Sequence, residues 1–205
     1  MEKVRVTASK EYNVHIGSEF LDSVGEMIAE IKRPCRAVIV SDDNVYSLYG
    51  EKVKSSLEKS EFTVFEYIVP HGENSKSVEN FIKIQEFCAE NNITRTDLFV
   101  ALGGGVVGDL TGFVASTYLR GVDFVQIPTT VLAMVDSSVG GKTAINLNAG
   151  KNLCGAFHQP IAVFADCETL STLPDETFNE GCAEIIKYGM ILDGEFLSFL
   201  NDHSH

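Results

Sequence analysis

Apolar residues fall into short runs separated by stretches with helical spacing, and the two patterns alternate through most of the chain. The opening residues 4–7 and 12–16 alternate apolar and polar side chains, as two strands of a hairpin-like pair do. A helical pattern at 20–31 leads into the continuous apolar run 37–40. A helix near 44–59 precedes a strand at 63–69, a helix at 77–91 precedes a strand at 98–102, and a further helix begins near 106. Residues 124–127 and 162–164 read as two more buried strands. Strands that are apolar throughout, with helices between them, have both faces covered, which predicts an α/β fold built on a mostly parallel sheet.

In such a sheet ligands collect beyond the carboxyl ends of the strands. The segments there are SDDN (41–44), PHGENSK (70–76), GGGVVGD (103–109) and PTT (128–130), and each directly follows an apolar run. The fold expected is therefore Rossmann-like, with helices on both faces of the sheet. Near 173–175 the strand runs stop. Residues 174–205 open with Pro174 and carry Phe178, Cys182, Ile185, Ile186 and Met190 at helical spacing. The chain is thus expected to divide into an α/β domain over 1–173 and the first helices of an α-helical domain over 174–205, too few residues to build a core of their own.

Composition narrows the function classes. A formal net charge of −13 disfavours nucleic acid and anionic lipid as partners, so an anionic ligand must be caught locally by lysines and backbone amides. Cysteines 35, 88, 154, 167 and 182 are odd in number and widely spaced, as reduced thiols of a cytoplasmic protein are. No apolar run is long enough for a membrane span, and the N-terminus lacks the pattern of a signal peptide.

Gly103, Gly104 and Gly105 lie between a strand and a helix start. That arrangement offers helix N-terminal amides to a phosphate or pyrophosphate, although a tight strand-to-helix turn explains it as well. Asp42 and Asn44 offer acceptors for a ribose, and they are also ordinary helix-capping residues. Glu73 and Lys76 are ligand contacts or loop charges. The segment VDSSVGGKTAINLNAGK (135–151) is rich in glycine and polar groups and reads as a loop over a polyhydroxylated, anionic ligand. In it Asp136 can accept from hydroxyls, Lys142 and Lys151 can offset phosphate or oxyanion charge, and Asn146, Asn148 and Asn152 bond in both directions. Glu184 and Lys187 share a helix face, for which spacing favours an ion pair over a metal ligand.

The stretch GGGVVGDLTGFVASTYLRGVDFVQIPTTVLAMVDSSVGGKTAINLNAGKNLCGAFHQP, together with EGCAEIIKYG, resembles the 3-dehydroquinate synthase family, and the resemblance extends over about residues 35–192. It implies conversion of 3-deoxy-D-arabino-heptulosonate 7-phosphate to 3-dehydroquinate and phosphate in the shikimate pathway, with NAD used catalytically and a divalent metal, zinc or alternatively cobalt, as Lewis acid. By the same resemblance Asp42, Asn44, Glu73 and Lys76 lie along the adenosine half of NAD. Gly104, Gly105, Val106 and Asp109 hold the pyrophosphate and ribose, and Thr129, Thr130 and Thr172 complete the cofactor site. Asp136, Lys142, Lys151 and Asn152 face the substrate and the nicotinamide. Arg120 reaches a neighbouring subunit's phosphate, implying a homodimer, and Glu184 becomes a metal ligand. Members of the family are much longer, and their two histidine metal ligands have no counterpart here, since His203 and His205 fall too early. The expectation is a truncated chain, inactive alone, that carries about half of an active site. Another sugar phosphate cyclase, the metal-dependent glycerol dehydrogenase group and a non-catalytic dinucleotide-binding module are the alternatives; DSSVGGKTAIN and GAFHQP look like the dehydroquinate branch.

Overall fold

The structure, a computed structural model, describes residues 1–203; His205 lies outside them. The chain runs through β1 (Glu2–Val6), β2 (Tyr12–Gly17), α1 (Val24–Ala29), β3 (Arg36–Asp42) and α2 (Asp43–Val45). A π-helical turn, Tyr46–Gly50, then joins α2 to α3 (Glu51–Lys59). There follow β4 (Thr63–Val69), α4 (Val78–Glu90), β5 (Leu98–Gly103), α5 (Gly105–Thr117) and β6 (Asp123–Pro128). A second π-helical turn, Ala133–Ser137, leads to β7 (Lys142–Leu147) and β8 (Gly150–Phe157). The last elements are β9 (Ala162–Asp166), a 3-10 segment Cys167–Thr172, α6 (Asp175–Leu192) and α7 (Gly194–Asp202).

Seven strands form the main sheet in the order β1-β2-β9-β6-β5-β3-β4. Every pairing is parallel except β1 with β2. Alternation along β3 feeds two cores. Ala37 and Ile39 pack with Val24, Ile28, Val53 and Leu57, while Val38 and Val40 pack with Ile84, Leu110, Val114 and Phe124 on the other face. Burying one such side chain stabilises the fold by about 1.5–3 kcal/mol, which is why the central strands carry no polar face. The chain builds β4 outward from β3 and then crosses back to place β5 on the other side of β3, so the connections reverse direction between β3 and β5.

The expected mostly parallel α/β sheet with helices on both faces is what forms. The segment 135–151 departs from the expectation of a loop. It is the π-helical turn, a short connection, and most of an antiparallel hairpin in which Lys142 pairs with Phe157 and Ile145 with Cys154. Thr143 and Ile145 point inward and are buried while Lys142 and Leu147 are exposed. The period of two was present in TAINL, but its polar content masked it. Packing explains the fold of this hairpin: a Cβ at Gly112 of α5 would come within 2.4 Å of Thr143 Cγ2. A Cβ at Gly155 would come within 2.1 Å of the Thr143 carbonyl oxygen. Small residues at these two places let the hairpin lie on α5 and let its strands close on each other.

Helix α6 begins after Pro174, as the sequence indicated, and docks through Gly181, where a Cβ would sit 2.4 Å from Val131 Cβ. Its outer face, with that of α7, leaves Met190, Ile191, Leu192 and Phe199 exposed. No helix among the described residues is long and apolar enough to cross a membrane.

Candidate functional site

The four segments singled out in the sequence follow the carboxyl ends of β3, β4, β5 and β6, so the parallel sheet brings them to one edge. The reversal between β3 and β5 opens a crevice there. Ser41 Oγ donates to the Leu102 carbonyl at 2.7 Å and pins the two strands at its base. On the β3 side Asp42 caps α2, accepting from the Val45 amide at 2.9 Å, so its capping role is realised. Asn44 is exposed beside it. Asp43 accepts from the His71 backbone amide at 2.8 Å and pairs with the His71 ring at 2.9 Å, joining the loops after β3 and β4. The His71 hydrogen bond holds the Asp43 carboxyl below the usual range.

On the β5 side Gly104 adopts an extended conformation and α5 starts at Gly105. First-turn amides of a helix have no acceptor within it, and the helix dipole adds a partial positive charge at the same place. Glycine suits both positions, because a Cβ would sit 3.1 Å from Thr130 Cγ2 at Gly104 and 3.0 Å from Ser137 Oγ at Gly105. Val106 follows in the same turn. Thr129 is buried with its hydroxyl unpartnered, and its amide donates to the Gly103 carbonyl at 3.1 Å. Thr130 Oγ1 accepts from the Ala133 amide at 3.2 Å. Thr172 lies across the crevice, its hydroxyl 2.6 Å from that of Tyr49.

A polar network joins this edge to the hairpin. Asn146 donates from its side chain to Glu73 Oε1 at 2.7 Å and from its amide to the Lys76 carbonyl at 2.8 Å, and it accepts from the Asn152 amide at 2.9 Å. Lys151 Nζ lies 3.9 Å from the same Glu73 oxygen. Asn152 holds a left-handed backbone, φ 57°, at this junction. Lys76, only 5 % exposed, forms an ion pair with Asp109 in the first turns of α5. Burial raises the Asp109 pKa and outweighs the lowering by Lys76.

Beyond Asp109 a cleft of about 520 Å³ runs along the outer face of the hairpin, lined by Asp109, Asp136, Lys142, Asn152, Leu153 and Phe157 among others. Lys142 Nζ lies 3.9 Å from Asp136 Oδ1, to which the Tyr188 hydroxyl of α6 donates at 3.2 Å. Burial and the carboxylates of Asp136 and Glu184 push the Tyr188 phenol up to about 12, so it remains a donor at any ordinary pH. Glu184 forms the ion pair with Lys187 that its spacing favours, and this pairing holds its carboxyl below the usual range. No group of three or more His, Cys, Asp or Glu side chains suited to a metal occurs among the described residues. Arg120 is not in this assembly. It is exposed just past the far end of α5, with φ 69°, roughly 20 Å of helix from the glycine turn.

Asn146, singled out with Asn148 and Asn152 as able to bond in both directions, does so here. Tyr188 stands out only in the structure. Tyr188 lies four residues after Glu184, a spacing that puts both on one face of α6.

A family model described as 3-dehydroquinate synthase N-terminal matches residues 66–180. The chain belongs to the 3-dehydroquinate synthase family. It is 46 % identical over 196 residues to the 3-dehydroquinate synthase of Thermoanaerobacter sp. (strain X514), covering 96 % of this chain and 55 % of that protein. It is 47 % identical over 192 residues to the 3-dehydroquinate synthase of Symbiobacterium thermophilum, covering 93 % and 54 %. The chain therefore spans about half the length of these 3-dehydroquinate synthases. Among solved structures, a 2-deoxy-scyllo-inosose synthase complexed with carbaglucose-6-phosphate, NAD+ and Co2+ superposes with a TM-score of 0.87 at 30 % identity, covering 93 % of this chain and 52 % of that one. The 2-epi-5-epi-valiolone synthase of Streptomyces hygroscopicus subsp. jinggangensis 5008, with NAD+ and Zn2+ bound, gives 0.86 at 31 % identity, covering 98 % and 56 %.

Proposed function

We propose that the chain forms the NAD-holding part of a 3-dehydroquinate synthase active site, which converts 3-deoxy-D-arabino-heptulosonate 7-phosphate to 3-dehydroquinate and phosphate in the shikimate pathway. The observation that carries this reading is a glycine-lined helix N-terminus after β5, a buried unpartnered Thr129 hydroxyl after β6, and, beyond Asp109 of the same helix, a cleft bearing Asp136, Lys142 and Asn152. Higher identity to dehydroquinate synthases than to the two cyclases of known structure supports the dehydroquinate branch.

NAD fits the residues present. The amides of Gly104, Gly105 and Val106 suit its pyrophosphate, and Thr129 lacks only an acceptor or donor to complete its hydroxyl. Asp42, Asn44, Glu73 and Lys76 would flank the adenosine half, with Asp109, Thr130 and Thr172 around the ribose and pyrophosphate. When bound, NAD would take a hydride from the carbon that bears a substrate hydroxyl, the O–H hydrogen leaving as a proton, and would later return the hydride to carbon. Asp136 would accept from substrate hydroxyls, and Lys142 and Lys151 would offset negative charge on the substrate and contact the nicotinamide end. Asn152 would bond to the substrate from the rim of the cleft.

A divalent metal does not fit these residues by themselves. Glu184 is the one carboxylate assigned to it, and here that side chain is neutralised by Lys187 with no further ligands clustered around it among the described residues. No step is assigned to a metal. Residues 174–205 are taken as the start of an α-helical unit, and Arg120, remote from the cleft of its own chain, as the residue that reaches a partner's phosphate in a homodimer.

The test is titration of the NAD-loaded chain with the heptulosonate phosphate, followed by backbone amide resonances and by phosphate release. Shifts at Asp136, Lys142, Lys151 and Asn152 without phosphate release are expected. Release at a normal enzymatic rate would overturn the half-site reading, and absence of shifts at those residues would overturn the substrate reading.

A further inference from the structure

Asp136 sits in the π-helical turn Ala133–Ser137, and among the described residues no hydrogen bond from within that turn reaches its carboxylate, so groups outside the turn fix it. Two groups reach Oδ1. Lys142 stands at 3.9 Å on a long side chain that is 65 % exposed, a loose contact through which water competes. The Tyr188 hydroxyl stands at hydrogen-bond distance, 3.2 Å, on a rigid ring that is partly buried. The ring itself is held in place. Lys187 Nζ lies 4.7 Å from its centroid, and Gly181, two turns earlier on α6, is packed against Val131 and Leu132 at the head of the same π-helical turn.

A phenol has one proton to give, and the geometry directs it: the Tyr188 hydroxyl donates to Asp136 Oδ1, while Glu184, on the same face of α6, is paired with Lys187. We propose that Tyr188 is a positioning residue for the cleft: its hydroxyl orients the Asp136 carboxylate and ties that orientation to the seating of helix α6 on the α/β sheet. This rests on the reading of the cleft given above, in which Asp136 accepts from ligand hydroxyls. Its consequence is that a displacement of α6 changes how Asp136 is presented, without any contact between α6 and the ligand.

The test uses the whole chain labelled with 13C at Cζ of its tyrosines, with Tyr188→Phe assigning the Tyr188 resonance by its loss. Asp136→Asn should move the Tyr188 resonance and leave the other tyrosines in place. Affinity for glucose 6-phosphate, a hydroxylated phosphate probe, is then measured with NAD present. Tyr188→Phe should weaken it about tenfold, the worth of one hydrogen bond to a charged group, and should have no further effect in an Asp136→Asn background. A simple packing role would leave the two substitutions additive, because phenylalanine keeps the ring. A Tyr188 resonance insensitive to Asp136→Asn, or additive losses, would overturn the proposal. If the probe fails to bind the unsubstituted chain, the reading of the cleft falls, and the resonance arm alone decides whether the Tyr188–Asp136 bond exists.

Discussion

Two buried side chains at the sheet edge have opposite characters. Thr129 has a buried hydroxyl with no partner, a cost that only a ligand or water can offset. Thr129→Val keeps the shape, so it should leave thermal stability unchanged or slightly raised while weakening NAD binding roughly three- to tenfold by calorimetry. Lys76 has its partner, Asp109, and both are largely sequestered. Lys76→Met should cost about 3–5 kcal/mol in chemical denaturation at neutral pH, because it strands a buried carboxylate. The pH dependence follows from Asp109, whose pKa burial raises. A raised carboxyl favours folding below its ordinary titration range and loses that contribution as pH rises through its folded value, so the deficit of Lys76→Met should shrink as pH falls from 7 toward 4. Asp42, Glu73 and Lys76 were legible as polar residues at strand ends. That Asp42 caps a helix was one of two readings the residue type allowed, and only the backbone around it settled that the cap forms. Tyr188 was illegible for a different reason: its partner lies 52 positions away, and no local pattern encodes that contact.

Continuous apolar runs made the central strands readable, because a strand covered on both faces has no polar side to confuse with a loop. The hairpin of β7 and β8 was not, since its buried face is small and includes Thr143, and its outer face mixes Lys142 with the exposed Leu153 and Phe157, so no clean alternation marks it. Its fold depends on close approach. In Gly155→Ala the added methyl meets a backbone carbonyl that no rotamer change can move, so the substitution should destabilise the chain by about 1–3 kcal/mol. Amide hydrogen exchange should locate the loss in residues 142–157, with β3 and β5 retaining their protection. Equal loosening of the central strands would contradict a β7–β8 sheet that opens apart from the seven-stranded one. The glycine turn before α5 was readable as a ligand cradle or as a tight turn; the structure shows the tight turn, with the side chains of Thr130 and Ser137 close against Gly104 and Gly105, and titration with NAD tests the cradle.

At the scale of the molecule, the α/β class followed from the alternation of elements, but the strand order did not. β9, late in the chain, inserts between β6 and the N-terminal β2, a pairing set by tertiary contact over most of the sequence. In the proposed reading a chain with a net charge of −13 would hold an anionic dinucleotide through fixed amides and a few lysines gathered at one edge of the sheet, acting locally against the overall field. The chain spans about half the length of these relatives, and what it would contribute in the proposed reading is a cofactor edge and one wall of a cleft. The most direct test of that account is titration of the chain with NAD while its backbone amide resonances are followed. Saturable binding is expected, with the largest shifts at residues 42–44, 73–76, 103–109 and 129–130. Failure to saturate at millimolar NAD, or shifts centred on another face of the sheet, would contradict it.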